Sequence, residues 1–157
     1  MTNSLISTEP IVARNFFLDI PGENTLVLSG VSGLDVELDV VSLSQNGAKG
    51  KQEHIKTIGG VLKTPDISVT RMAPQDAASD PLWTWFLSIR DTGFASRTDK
   101  RKDISITLYD VSGKEVGRFN IFSAWPSKIA TDALSTDSND PMKETITIVN
   151  ERIERVK

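Results

Sequence analysis

The chain of 157 residues is long enough for a single domain with its own hydrophobic core, and no second domain is needed. It contains no cysteine, which excludes disulfides, thiolate zinc sites and a cysteine nucleophile, and its net charge of -3 argues against sequence-specific or general nucleic-acid binding. Residues 1–13 are expected to be a flexible lead-in without the features of a signal peptide, and no apolar run approaches the roughly 20 residues that a membrane helix needs.

The first predicted strands come from the alternation of apolar and polar residues. Residues 14–20 alternate and end at a Pro-Gly turn, and residues 26–28 form a short apolar strand. From Gly33 the alternation is regular, with four apolar residues on one face: Leu34, Val36, Leu38 and Val40. The opposite face is acidic: Asp35, Glu37 and Asp39. Their spacing could hold calcium, but the carbonyl-rich loop of such sites is missing, so a solvated strand face is favoured.

Residues 45–64 are predicted to form an arm that projects from the domain. The segment is too long for a hairpin connection. Its tip is polar and rich in glycine and lysine, while its second half contains hydrophobic residues that a lone loop has no local core to bury. The arm is therefore expected to lie against a partner, through seven residues: Gly47, Lys49, Lys51, Ile55, Ile58, Val61 and Leu62.

One helix is predicted after a strand at residues 67–70. Asp80 fits the N-cap and Pro81 fits the first helical position. Apolar residues then recur at i, i+3, i+4 and i+7, which is the spacing of one helix face: Leu82, Trp85, Phe86 and Ile89. Trp85 and Phe86 are expected to anchor the core, and Gly93 fits the end of the helix.

A hairpin and a closing strand are predicted in the last third of the chain. A turn at residues 110–113 joins the strand of residues 104–108 to one in which Phe119 is expected to anchor the core. The alternation breaks at Trp125 and Pro126 because proline cannot donate to a ladder, so the sheet is expected to bend or end there, with Trp125 buried. Residues 142–150 form the closing strand. The near-helical spacing of apolar residues up to Val156 leaves the conformation of the tail open, including a helical or frayed end.

These elements predict a mainly β, antiparallel domain of about seven strands with one helix packed on it, either a sandwich or a small barrel. His54 is the only histidine, and a single imidazole supplies neither a metal site nor an evident triad. Gly50 and Lys51 resemble part of a phosphate loop, but two positions of that motif do not match. No enzymatic activity, cofactor or metal is predicted. A monomeric ligand- or carbohydrate-binding module with exposed tryptophan remains an alternative.

One motif carries a resemblance to a known family. The pattern Asp-x-x-Gly-x-x-Val at residues 110–116, followed by Ala-Trp-Pro-x-Lys at residues 124–128, resembles the phage tail tube protein family, which contractile phage tails and contractile injection systems share. Further matches occur in order from residue 14 to residue 156. Two departures fall in connections: Gly59-Gly60 replaces the usual Pro-Gly, and Met72-Ala73 follows Arg71 where glycine is commoner.

The resemblance implies a tail-tube (Hcp-like) fold and a structural role. In this family six copies form a ring, the rings stack into a hollow tube, and a contracting sheath drives the tube through a target envelope. The implied partners are further copies of the chain, the sheath protein, baseplate and cap proteins at the tube ends, and cargo in the lumen. Asp35, Glu37 and Asp39 would then line the lumen, and the arm would reach neighbouring subunits. Assembly is expected in the bacterial cytoplasm, before the chain becomes part of a phage tail or tail-like particle.

Overall fold

The computed structural model describes residues 14–94, 100–137 and 139–157, without the side chains of residues 48 and 61–63. The lead-in expected for residues 1–13 lies outside these ranges. The described part is mainly β with one helix, which confirms the predicted fold class. In chain order its elements are β1 (Asn15–Asp19), β2 (Leu26–Leu28), β3 (Gly30–Ser32), β4 (Glu37–Asn46), β5 (Gln52–Lys63), β6 (Ile67–Met72), α1 (Pro81–Thr92), β7 (Lys102–Tyr109), β8 (Glu115–Thr131), β9 (Lys143–Val149) and β10 (Arg152–Arg155).

Eight strands form one antiparallel sheet that closes on itself. Its order is β2-β1-β7-β8-β9-β6-β3, and β10 pairs with β8. The two end strands, β2 and β3, are separated by Ser29 alone, whose N–H donates to the carbonyl of Thr70 at 2.8 Å. They are therefore two halves of one bent strand, which pairs with β1 before the bend and with β6 after it. This bend closes the sheet into a small barrel, while β10 remains an edge strand that pairs with β8 among the described strands.

Strand β8 turns the second corner of the barrel. Its first half pairs with β7 and β10, and its second half pairs with β9. Ser123 lies at the corner with φ +52°, and its N–H donates to the Asp103 carboxylate at 3.0 Å. The expected bend is present, but the sheet does not end at Pro126. The register of β8 against β9 shifts directly after Pro126. Proline, which has no N–H to donate, is tolerated at such an irregular point of the ladder.

The barrel core is built from alternate residues of its strands and from one face of α1. Ile106 and Ile121 come from one half of the barrel, and Ile67 and Ile148 come from the other, while Leu82 closes the core from the helix. The predicted helix is confirmed. The Asp80 carboxylate accepts the Trp83 N–H at 3.1 Å, and Gly93 ends the helix with φ +61°.

The tail after residue 150 is a strand, and this decides the conformation that the sequence left open. Residues 152–155 form β10 on the edge of β8, with Ile153 opposite Ile121. The near-helical spacing of apolar residues in this region is misleading, because a turn at Asn150 and Glu151 interrupts the strand between Val149 and Arg152. The first half of β8 has an open edge, and its backbone N–H and C=O groups form hydrogen bonds with the tail. A helical tail would leave these groups of β8 without partners.

Candidate interaction surface

A long two-stranded hairpin projects from the barrel. Strands β4 and β5 pair with each other and with no other described strand. Residues 48–50 form the turn between them, and the ten residues of β4 span about 30 Å. The predicted arm of residues 45–64 is thus the tip and the returning strand of a hairpin that starts at Glu37. The expected strand from Gly33 is wrong at its start: Gly33, at φ +82°, lies against the carbonyl of Asp66, and β4 begins at Glu37.

Both faces of this hairpin expose large apolar side chains. Val40 and Ile58 pair on one face, where they are 58% and 70% exposed, and Leu43 and Ile55 pair on the other. The alternation of this strand gave it one apolar and one acidic face, but the apolar face is also exposed, at Val36, Leu38 and Val40. Of the other residues predicted for the arm, Gly47 is half-buried and Lys49 and Lys51 are exposed, while the side chains of Val61 and Leu62 lie outside the described residues.

The three acidic residues of this region do not form one regular strand face. Asp35 lies before β4 and is exposed, and Glu37 is exposed at the first position of the strand. Asp39 is half-buried, at a shift in register where Leu38 pairs with Leu62 but Val40 pairs with Ile58. The acidic face predicted from simple alternation is therefore interrupted at Asp39.

The register shift at Asp39 leaves no room for a side chain at Gly59. A methyl group on its Cα would collide with the Asp39 side chain, whereas one on Gly60 would meet no atom within 4 Å. We expect Gly59→Ala to distort the hairpin and to lower the hydrogen-exchange protection of the β4 and β5 amides, since close contacts of this kind cost about 1–3 kcal/mol. Gly60→Ala is the matched control. Equal protection in the two variants would contradict the role assigned to Gly59.

A buried ionic cluster lies beneath the helix, at the end of the barrel where β6 stops. The guanidinium of Arg71 donates two hydrogen bonds to Asp80, at 2.8 and 2.6 Å, and a third at 3.3 Å to Glu144. The Trp83 indole N–H donates to the same Glu144 carboxylate at 3.0 Å. The three charged side chains are nearly inaccessible to solvent. The cluster therefore joins β6, β9 and the first turn of α1.

This cluster was not predicted from the sequence, although a signal for it exists. Arg71 is in phase with the buried Ile67 and Val69 of β6, and Glu144 is in phase with the buried Ile146 of β9. A charged residue at a core-facing position in each of two strands indicates a buried pair. Only the register, which places Arg71 opposite Glu144, shows that they meet.

The cluster predicts a loss of stability in acid. Burial by itself raises the pKa of Asp80, but the hydrogen bonds from Arg71 and the Trp83 N–H outweigh it, so the pKa lies below its usual 3.8. The folded protein therefore binds fewer protons at this group than the unfolded chain. Its stabilising effect is complete above pH 5 or so and disappears as the pH falls through the lowered pKa.

We expect Asp80→Asn to reduce the acid dependence of the unfolding free energy between about pH 5 and pH 2. Asp137→Asn, at an exposed position of the loop before β9, is the control. The comparison is made by urea unfolding at each pH. An unchanged pH slope in Asp80→Asn would contradict the assignment.

The four predicted core anchors occupy different environments. Trp85 is buried, and its indole N–H donates to the Lys100 carbonyl at 2.5 Å. Phe119 and Trp125 are half-buried and pack against the core, and Phe86 is half-buried with its ring edge-on to Trp83. Trp125 was expected to be buried and is half-buried, with the ring of Phe94 edge-on to it at 5.1 Å.

The described residues contain little that suggests catalysis. His54 is exposed on β5, and no group of three His, Cys, Asp or Glu side chains in these ranges could hold a metal ion. No helix in the described part of the chain is long and apolar enough to cross a membrane. The exposed hairpin is thus the most unusual surface, and it is suited to binding another protein rather than a small molecule.

The sequence matches the family model of the T4-like virus tail tube protein gp19 over residues 12–154. Among curated proteins, none matches it significantly. A chain of the PVC sheath-tube complex, from an extracellular contractile injection system in its extended state, is 23% identical, with a TM-score of 0.71 over 99% of this chain and 97% of that chain. A chain of the PVC sheath/tube terminator is 22% identical, with a TM-score of 0.75 over 96% and 99%. Hcp1 from Flavobacterium johnsoniae is 16% identical, with a TM-score of 0.53 over 90% and 94%. At these identities the structural likeness shows a shared fold.

Proposed function

The chain belongs to the family of the T4-like virus tail tube protein gp19, and from this premise we propose that six copies close into a ring and that the rings stack into a hollow tube. The protein is a structural subunit of this tube. The tube is the inner tube of a contractile phage tail or of a contractile injection system, and a surrounding sheath drives it through a target envelope. Baseplate and cap proteins bind its two ends, and cargo passes through its lumen.

The hairpin carries this proposal. A two-stranded ribbon is marginally stable alone in water, and this one also exposes unpaired backbone edges and apolar side chains such as Leu43, Ile55 and Ile58. When strands of neighbouring protomers pair with the hairpin, they form hydrogen bonds with its backbone edges and bury its apolar side chains. The chains then form a continuous wall. The entropy cost of ordering the hairpin is offset by the apolar surface that is buried between protomers.

The acidic residues near the base of the hairpin suit the wall of the lumen. Asp35 and Glu37 are exposed, and Asp39 lies close to them on β4. Sixfold repetition in each ring makes the lumen acidic, so that it repels phosphate groups and limits the sticking of cargo. Such a wall is compatible with the passage of a genome and with the delivery of effector proteins.

Assembly requires no enzymatic step and no cofactor, because the contacts between protomers supply its free energy. We place assembly in the bacterial cytoplasm, before the chain becomes part of a phage tail or tail-like particle. The alternative function, a monomeric module that binds ligands through exposed tryptophan, has little support, since Trp85 is buried and Trp83 and Trp125 are half-buried.

Negative-stain electron microscopy of the concentrated full-length protein tests the proposal. We expect hollow rings and stacked tubes, and sedimentation velocity should show a hexamer or multiples of it. A protein that stays monomeric at every concentration, without rings or tubes, would exclude the role in a tube. Bovine serum albumin at the same mass concentration controls for stain artefacts.

A further inference from the structure

An open cavity lies on the outer face of the barrel, where β1 pairs with β7. Its volume is about 320 Å³, near the lower end of the roughly 300–1,000 Å³ that is typical of small-ligand sites. Two half-buried aromatic side chains line it: the rings of Phe17 and Tyr109 are edge-to-face, with centroids 5.3 Å apart. The half-buried carboxylate of Asp19 lies in the same lining. We call Phe17, Asp19 and Tyr109 the aromatic-acidic site.

The strand pattern places these three side chains together on the outside of the barrel. In β1, Phe17 and Asp19 alternate with Leu18, which is fully buried in the core. Phe17 and Asp19 therefore share one face, with Cα atoms about 6.6 Å apart. Tyr109 pairs with Asn15, two residues before Phe17, so the two rings meet diagonally across the strand pair. The pairing of β1 with β7 thus brings two rings and one carboxylate to a single cavity.

The carboxylate of Asp19 is held by two hydroxyl groups and lacks a counter-ion. Thr25 donates to Oδ1 at 2.8 Å, and the almost fully buried Thr107 donates to Oδ2 at 3.3 Å. Each oxygen can accept a further hydrogen bond, because a carboxylate oxygen has two lone pairs. Among the described residues, no lysine or arginine forms an ion pair with Asp19. The site therefore combines a fixed negative charge with aromatic walls and an open volume.

A guanidinium group matches this combination better than other cations do. It is flat and weakly hydrated, it stacks on aromatic faces, and its fork of N–H donors fits the two oxygens of a carboxylate. A lysine ammonium is more strongly hydrated and has no such fork. A divalent metal ion prefers several oxygen ligands, whereas Asp19 is the only acidic residue among the described residues that line the cavity.

We infer that the aromatic-acidic site binds an arginine side chain of a partner protein, with the guanidinium stacked on the aromatic wall and hydrogen-bonded to both oxygens of Asp19. Arginine is among the residues that most often dominate protein interfaces, and opposite charge fixes the orientation of such a contact. The site lies on β1 and β7, whereas the hairpin consists of β4 and β5. The inference therefore goes beyond the proposed tube and does not depend on the hairpin contacts.

Saturation-transfer difference NMR with acetyl-arginine amide tests the site on the full-length protein, because this method detects the ligand whether the protein is monomeric or assembled. Acetyl-citrulline amide, which has nearly the same shape but no charge, is the matched ligand. We expect saturable binding of the arginine probe and a Kd at least about tenfold higher for the citrulline probe. Equal Kd values for the two probes, or no binding of the arginine probe, would overturn the inference.

Asp19→Asn should raise the Kd of the arginine probe by about tenfold or more, because it removes the charge but keeps an oxygen that can accept from Thr25. Asp137→Asn removes an exposed carboxylate from the loop before β9 and is the control, with no change expected. An unchanged Kd in Asp19→Asn would show that this carboxylate does not hold the guanidinium, and the inference would be wrong.

The two rings are tested as a pair. Phe17→Leu with Tyr109→Leu should raise the Kd by about fivefold or more, because no aromatic face remains for stacking. Phe17→Tyr with Tyr109→Phe exchanges the hydroxyl group but keeps both rings, so its Kd should stay near that of the wild type. Circular dichroism verifies the fold of each variant. These variants leave Asp19 intact and decide the question if Asp19→Asn does not fold: equal Kd values for the two ring variants would exclude the site.

Discussion

Replacing residues 37–63 by a four-residue turn containing Asn-Gly is expected to leave a folded barrel that no longer forms tubes. Glu37 and Lys63 are the first pair of the hairpin, so their backbones are already close enough for a short turn to join them. None of the described side chains between these two positions belongs to the buried core. The barrel therefore keeps its packing, while the proposed contact between protomers disappears.

Paired circular dichroism and electron microscopy on this variant provide the measurement. We expect a β spectrum with a cooperative thermal transition and particles of monomer size. A milder variant, Leu43→Ser with Ile55→Ser, keeps the hairpin backbone and should also weaken assembly, because it removes an apolar pair from one face. Ser42→Thr with Ser44→Thr is its control on the opposite face. Tubes of normal appearance from the shortened chain would refute the interface role of the hairpin.

Removing Arg71 is expected to have the largest effect on the stability of the monomer. Arg71→Met would leave Asp80 and Glu144 buried close together without their cation, and breaking a buried ion pair from one side costs about 3–5 kcal/mol. Urea unfolding, followed by tryptophan fluorescence, would report the loss directly, since Trp83 donates to the cluster.

The matched control replaces all three charges, as Arg71→Met, Asp80→Asn and Glu144→Gln. This variant keeps an N-cap acceptor at position 80 and an acceptor for Trp83, and it leaves no unpaired charge. It should therefore be more stable than Arg71→Met alone, since desolvation of an uncompensated charge is the main cost. A loss below about 1 kcal/mol for Arg71→Met would show that the cluster contributes little.

The fold class and the helix could be predicted because their signals are local. Asp80, Pro81 and Gly93 mark the ends of α1 within a few residues, and the helical spacing of Leu82 and Trp85 identifies its buried face. The barrel itself could not be predicted in this way. Its closure depends on a bend at Ser29 and on the change of partners along β8, and both are set by pairing between distant segments.

The candidate interface was predicted in part. Lysines and isolated isoleucines in residues 45–64 indicated a surface that binds a partner, and the hairpin does expose Ile55 and Ile58. Its length was underestimated, because alternation in residues 33–43 is the same whether a strand covers a core or projects from it.

The sequence by itself determined the mainly β class, the helix with its caps, the turn at residues 110–113 and the family, because each depends on residues that lie close together in the chain or on a motif read directly from it. Only the tertiary structure decided that Arg71 meets Asp80 and Glu144 and that the apolar face of β4 is uncovered. The physical reason is that alternation specifies which side chains share a face of a strand, whereas burial depends on what packs against that face.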